Sequence, residues 1–163
     1  SRQGVGSTFT VEIPLLIAEQ VQVEEKEKLR KDMDLHGLHV LLAEDNDLNA
    51  EIAIALLEEK GMTVTRAVDG KSALTQFCDT APGTFDLILM DIMMPEMNGY
   101  EATKAIRNLP GRPDGKEIPV IAMTANAFAE DVQAALNAGM DDHVAKPIDM
   151  SILISVITKY IER

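Results

Sequence analysis

A chain of 163 residues has room for one domain of ordinary size and a short appendage. Its 46% hydrophobic content supports a packed core, and with only 4% aromatics that core must be Leu, Ile, Val, Met and Ala. A net charge of −12 excludes a broad nucleic-acid-binding surface, the lone Cys78 excludes an internal disulfide and fits a reducing compartment such as the cytoplasm, and no apolar run approaches the ~18 residues of a membrane span.

At the start of the chain Phe9, Val11, Ile13 and Leu15 alternate with Thr8, Thr10, Glu12 and Pro14, the pattern of a half-buried strand. One strand has no stability of its own and needs a sheet around it. Residues 1–17 therefore read as the end of another domain. Residues 18–37 carry Glu24, Glu25, Lys26, Glu27, Lys28, Arg30, Lys31 and Asp32 with few apolar anchors, and read as a solvated linker.

From Leu38 to Arg163 the pattern repeats strand, loop, helix. Val40–Ala43 is a first strand running into Glu44 and Asp45. Leu48, Ile52, Leu56 and Leu57 recur at helical spacing, with Asn46 or Asp47 as cap and Gly61 as stop. Met62–Val68 is a second strand and Lys71–Asp79 a second helix. Leu87–Met90 is an unbroken apolar run, as in a strand buried on both faces, and it ends on Asp91. Tyr100–Leu109 is a third helix, and Pro110, Gly111, Pro113 and Gly115 make an exposed loop. Val120–Met123 ends on Thr124, Ala127–Ala138 is a helix stopped by Gly139, and His143–Ala145 leads to Lys146-Pro147. Asp149 caps a last helix with Leu153, Val156, Ile157, Tyr160 and Ile161.

Five strands alternating with five helices predict an α/β fold with a doubly wound five-stranded parallel sheet. The flavodoxin-like order 2-1-3-4-5 sets strands one and three side by side at the switch point, where ligands bind beyond the strand ends. Glu44, Asp45 and Asp91 then meet in one crevice, and Thr124 and Lys146 reach the same rim. Three carboxylates so close cannot all ionise cheaply, and a hard divalent cation resolves the conflict. Mg²⁺ suits the set, because it takes one or two carboxylates and keeps waters and a phosphate oxygen as its other ligands.

Glu44-Asp45, Asp91, Thr124 and Lys146-Pro147, in this order and at these spacings, resemble the receiver domain of two-component response regulators. Asp45-Asn46 with Asn49, Met94-Pro95 and Met123-Thr124-Ala125-Asn126-Ala127 look most like the receivers fused to hybrid sensor histidine kinases. Independently, Gly4-Val5-Gly6-Ser7-Thr8-Phe9 before a strand ending in Pro14-Leu15 resembles the last glycine-rich turn and final strand of a histidine-kinase ATP-binding domain.

The receiver resemblance implies that Asp91 attacks the phosphorus of a phosphohistidine and becomes an aspartyl phosphate in a phosphorelay. It implies Mg²⁺ held by Asp45, Asp91 and the backbone carbonyl of Met93, with Glu44 acting partly through water. Thr124 would hydrogen-bond one phosphoryl oxygen and Lys146 would pair with another, aimed inward by a cis Lys146-Pro147 peptide. Thr124 and His143, three positions before the lysine, would form the switch. The implied partners are a histidine kinase dimerisation domain or a histidine phosphotransfer domain. None of His36, His39 and His143 lies in a motif like the autophosphorylated histidine of a kinase, so this stretch is not expected to phosphorylate itself from ATP.

Rival readings share the fold. A metal-dependent phosphatase with a strand-end Asp nucleophile would carry a second Asp two residues on, where Met93 stands. A flavin-binding module would cradle phosphate in its first loop, where Glu44, Asp45 and Asp47 would repel it. A receiver-like interaction module without phosphorylation would have no need of the acidic set, Thr124 and Lys146.

Overall fold

The computed structural model describes residues 35–125 and 129–161. The expected strand at Phe9–Leu15, the body of the linker, and Asn126 and Ala127 lie outside these residues.

The strands are β1 (His39–Ala43), β2 (Thr63–Ala67), β3 (Leu87–Asp91), β4 (Val120–Thr124) and β5 (Asp142–Ala145). All pair in parallel, in the order β2-β1-β3-β4-β5. The helices among the described residues are α1 (Asp47–Glu59), α2 (Gly70–Asp79), α3 (Gly99–Arg107), α4 (Asp114–Glu117), α5 (Ala129–Asn137) and α6 (Met150–Ile161). The fold is the doubly wound sheet expected from the alternation of elements.

Strand geometry splits the core in two, because successive side chains point to opposite faces. Leu41, Ala43, Ile88, Met90, Val120 and Ala122 pack on one face with Ala73 and Phe77 of α2 and Ala102 and Ile106 of α3. Val40, Leu42, Leu87, Leu89, Ile121 and Met123 pack on the other with Ala50, Ala53 and Leu57 of α1 and Leu153 and Ile157 of α6. Leu35, only 4% exposed, belongs to this second cluster.

Local chemistry fixes the helix starts. Asn46 caps α1 by accepting from the Asn49 N–H at 3.0 Å, and Asp69 caps α2 through the Ser72 N–H at 2.6 Å. Asn98 and Glu101 form a reciprocal capping box at α3. Gly99 has no substitute there, since a Cβ would collide with the Asp91 carbonyl. Asp149 accepts from the Ser151 and Ile152 N–H groups at the head of α6.

Two expectations need correction. The apolar stripe of α1 faces the sheet with Ala50, Ala53 and Leu57, while Leu48 and Ile52 stand 64% and 51% exposed. The small alanines let the helix approach the sheet closely, and that choice of face leaves the larger residues outside. The Pro/Gly-rich connection after α3 is not simply an exposed loop either. It contains α4, its Gly115 is buried, and Arg112 is buried against the C-terminal end of α2. That guanidinium donates to the Phe77, Cys78 and Thr80 carbonyls, pairs with Asp114, and lies 4.2 Å over the Phe77 ring.

Candidate functional site

β1 and β3 finish side by side, with Ala43 in register with Met90. The residues just past them therefore share one rim. Ligand atoms of Glu44, Asp45 and Asp91 all lie within 4.8 Å of one another. Glu44 and Asp91 are 2% and 5% exposed, while Asp45 faces solvent.

The buried pair is held by one ammonium. Lys146, directly after β5, places Nζ 2.5 Å from Glu44 Oε2 and 2.6 Å from Asp91 Oδ2. The Met93 N–H donates to Asp91 Oδ1 at 3.1 Å, which sets the Met93 backbone beside the carboxylate. Asn49 Nδ2 donates to Glu44 Oε1 at 3.1 Å, as does the Asn46 N–H at 3.4 Å. The Met93 side chain is 77% exposed on the outside of the rim.

These surroundings push charge in definite directions. Burial raises the Asp91 carboxyl above its ordinary value, against the opposing pull of Lys146 and the Met93 N–H. Burial works against the Lys146 ammonium, but the hydrogen bonds and charges of Asp91 and Glu44 outweigh it and hold its pKa above the usual lysine value.

Thr124 ends β4, buried, one strand from Asp91, and its carbonyl accepts from the Lys146 N–H at 2.8 Å. The Lys146–Pro147 peptide is cis. His143 sits further back along β5, in register with Ala122, and its half-exposed imidazole lies 3.8 Å from the Asp142 carboxylate. That carboxylate also takes Lys159 Nζ at 2.8 Å and the Tyr160 hydroxyl at 3.2 Å. Glu44, Asp45, Asp91, Met93, Thr124 and Lys146 thus gather at the C-terminal ends of β1, β3, β4 and β5, and His143 stands behind them.

The donor set fits a small hard cation. Three carboxylates against one ammonium leave two negative charges at the rim, which a divalent ion balances, and every donor is oxygen. Asp45, Asp91 and the Met93 backbone are the groups that would hold it.

Two contributors lie outside the expected site residues. Asn49, which entered the sequence reading only through its likeness to hybrid-kinase receivers, orients Glu44. Arg66, at the end of β2, reaches across to the Glu44 and Asp45 carbonyls and to Asp47. Its only signal was that the strand order puts β2 beside the acidic loop.

The model of the response regulator receiver domain matches residues 40–158. The chain is 41% identical over 161 residues to the aerobic respiration control sensor protein ArcB of Escherichia coli (strain K12), covering 98% of this chain and 20% of that protein. It is 43% identical over 129 residues to hybrid signal transduction histidine kinase I of Dictyostelium discoideum, covering 76% of this chain and 7% of that one. It thus spans a fifth or less of the length of these relatives.

Among solved structures, it resembles the receiver domain of a sensor histidine kinase from Pseudomonas aeruginosa PAO1 with a magnesium ion coordinated in its active-site cleft. That match has TM-score 0.69 and 36% identity, over 78% of this chain and 99% of that one. The receiver domain of Ssk1 from Saccharomyces cerevisiae, co-crystallised with the histidine phosphotransfer protein Ypd1, is also similar. There the TM-score is 0.65 and the identity 28%, over 76% of this chain and 88% of that one. Fold, rim and relatives agree, and the chain belongs to the response regulator receiver domain family, in the form carried by hybrid histidine kinases.

Proposed function

We propose that this chain accepts a phosphoryl group from a phosphohistidine onto Asp91 in a Mg²⁺-dependent step of a phosphorelay. The observation that carries the reading is the meeting of Glu44, Asp45 and Asp91 at one rim with the Lys146 ammonium between two of them. The Met93 N–H donates to one oxygen of the Asp91 carboxylate and the Lys146 ammonium to the other, which together fix its orientation. An Asp91 oxygen forms the new bond to phosphorus, the P–N bond of the donor breaks, and its electron pair leaves on the imidazole. Lys146 neutralises an equatorial phosphoryl oxygen, and Thr124 donates its hydroxyl to another. Mg²⁺, when bound by Asp45, Asp91 and the Met93 carbonyl with Glu44 partly through water, supplies further charge neutralisation.

The partner is a histidine-bearing helical domain, either the dimerisation domain of a kinase or a histidine phosphotransfer domain. The exposed Leu48 and Ile52 of α1, next to the rim, offer an apolar face on which such a domain can rest while its histidine faces Asp91. The compartment is the cytoplasm, with any membrane anchor of a longer parent upstream. Residues 1–17 are read as the end of a kinase ATP-binding domain and 18–37 as its linker to the receiver.

The test is intact-mass measurement with acetyl phosphate. One added phosphoryl group is expected with Mg²⁺, and none in Asp91→Asn or in chelator. Persistent labelling of the variant would sink the assignment of Asp91. No labelling of the parent chain by any phosphodonor would favour an interaction module instead.

A further inference from the structure

Among the described residues, Arg66 is the cation that the sheet order brings to the acidic loop from the β2 side, away from Lys146. It stands on β2 in register with Leu42, two residues before Glu44. Its side chain is mostly covered, with 23% exposed. Its guanidinium makes contacts in several directions at once. Nε and Nη2 donate to the Glu44 carbonyl at 3.3 and 3.2 Å, and Nη2 reaches the Asp45 carbonyl at 3.5 Å and Asp47 Oδ1 at 2.7 Å. Its own backbone is held in turn, since Gln76 Nε2 of α2 donates to the Arg66 carbonyl at 2.9 Å. The Glu44 N–H is tied to the Ala67 carbonyl at 3.0 Å, so the loop and the end of β2 are stitched on both sides of the guanidinium.

We infer that Arg66 is a positioning residue for the Mg²⁺ site, holding the backbone of Glu44 and Asp45 so that their carboxylates stand at the spacing the ion needs. This rests on the reading of the rim as a Mg²⁺ site. The bare ion pair with Asp47 cannot be the main role, because the Asp47 side chain is 86% exposed and exposed pairs contribute little. The contacts to two successive carbonyls are what a planar fork does and an ammonium does not.

The two possible effects of Arg66 on a cation have opposite signs, which makes the inference testable. As a plain positive charge near the rim, Arg66 repels Mg²⁺, and removing it tightens binding. As a brace, it presents the ligands, and removing it weakens binding.

The experiment is a Mg²⁺ titration of the 163-residue chain followed by amide chemical shifts, for the parent, Arg66→Ala and Arg66→Lys, with thermal unfolding recorded alongside. Arg66→Ala is expected to weaken Mg²⁺ binding about ten-fold, the scale seen when groups that orient metal ligands are removed. Arg66→Lys keeps the charge and loses the fork, so it is expected to weaken binding as well, with an unfolding midpoint close to the parent's. Unchanged or tighter binding in either variant overturns the inference. A parent chain that binds no Mg²⁺ overturns the reading of the rim on which it rests.

Discussion

One ammonium, that of Lys146, serves two buried carboxylates, and its loss should be legible in the titration of Asp91. Burial already raises that carboxyl and Lys146 pulls it down, so Lys146→Met is expected to move it further above the ordinary range. Carboxyl ¹³C shifts followed against pH without Mg²⁺ would check this. A lower Asp91 midpoint in the variant would show that Lys146 is not its counter-ion. A second expectation concerns Thr124 and His143. If phosphorylation draws the Thr124 hydroxyl toward the phosphoryl group and His143 turns inward in response, the turn takes the imidazole from the Asp142 carboxylate beside it. With Mg²⁺ and beryllofluoride, amide shifts are expected along α5 and from Asp142 to Lys146, reduced in Thr124→Ala. Shifts confined to residues beside Asp45 and Asp91 would leave the domain as a phosphoryl carrier without a switch.

Among the elements, α2 is finished from outside itself. Arg112 supplies donors to carbonyls at the end of its last turn, while the guanidinium lies over the Phe77 ring. Arg112→Ala is expected to cost about 1–3 kcal/mol in urea unfolding, the range for stranding buried acceptors, while acetyl phosphate still labels Asp91. The Asp114 carboxyl beside it is held at about 2 by the Arg112 guanidinium. Its stabilisation is therefore present above the ordinary 3.8 of an unfolded Asp and is lost as pH falls toward 2. With the Asp114 side chain 20% exposed and the pair screened in part by water, this amounts to about 1 kcal/mol, and Asp114→Asn should flatten that part of the acid-unfolding curve. None of this was legible in the sequence, where Pro110, Gly111, Pro113 and Gly115 signal a turn and conceal the arginine among them. The strands and the rim were legible, because an unbroken run such as Leu87–Met90 ending on Asp91 has few other readings. The face of α1 was not. Leu48 and Ile52 on one side and Ala50, Ala53 and Leu57 on the other both have helical spacing, and only contact with the sheet decides between hydrophobicity and closeness of approach.

At the scale of the molecule, the folded unit takes in residues ahead of β1. Leu35 is buried with α1 and α6, and the Gly37 N–H donates to the Gly61 carbonyl at 3.1 Å. A chain beginning at residue 39 is expected to be about 2 kcal/mol less stable than one beginning at residue 33, the worth of one buried leucine. Equal urea midpoints would place the boundary after Leu35 instead. The division of the core between the two faces of the sheet has a consequence for how the chain can change in length. One residue inserted within Leu87–Asp91 would exchange Ile88 and Leu89 between faces and carry Asp91 off the rim, since a strand repeats every second residue. The same insertion beside Gly83, in an open turn with space around its Cα, would leave both faces as they are. The strands behave as a reading frame in which a shift by one is a loss of meaning, and room for a change in length lies in the punctuation between them.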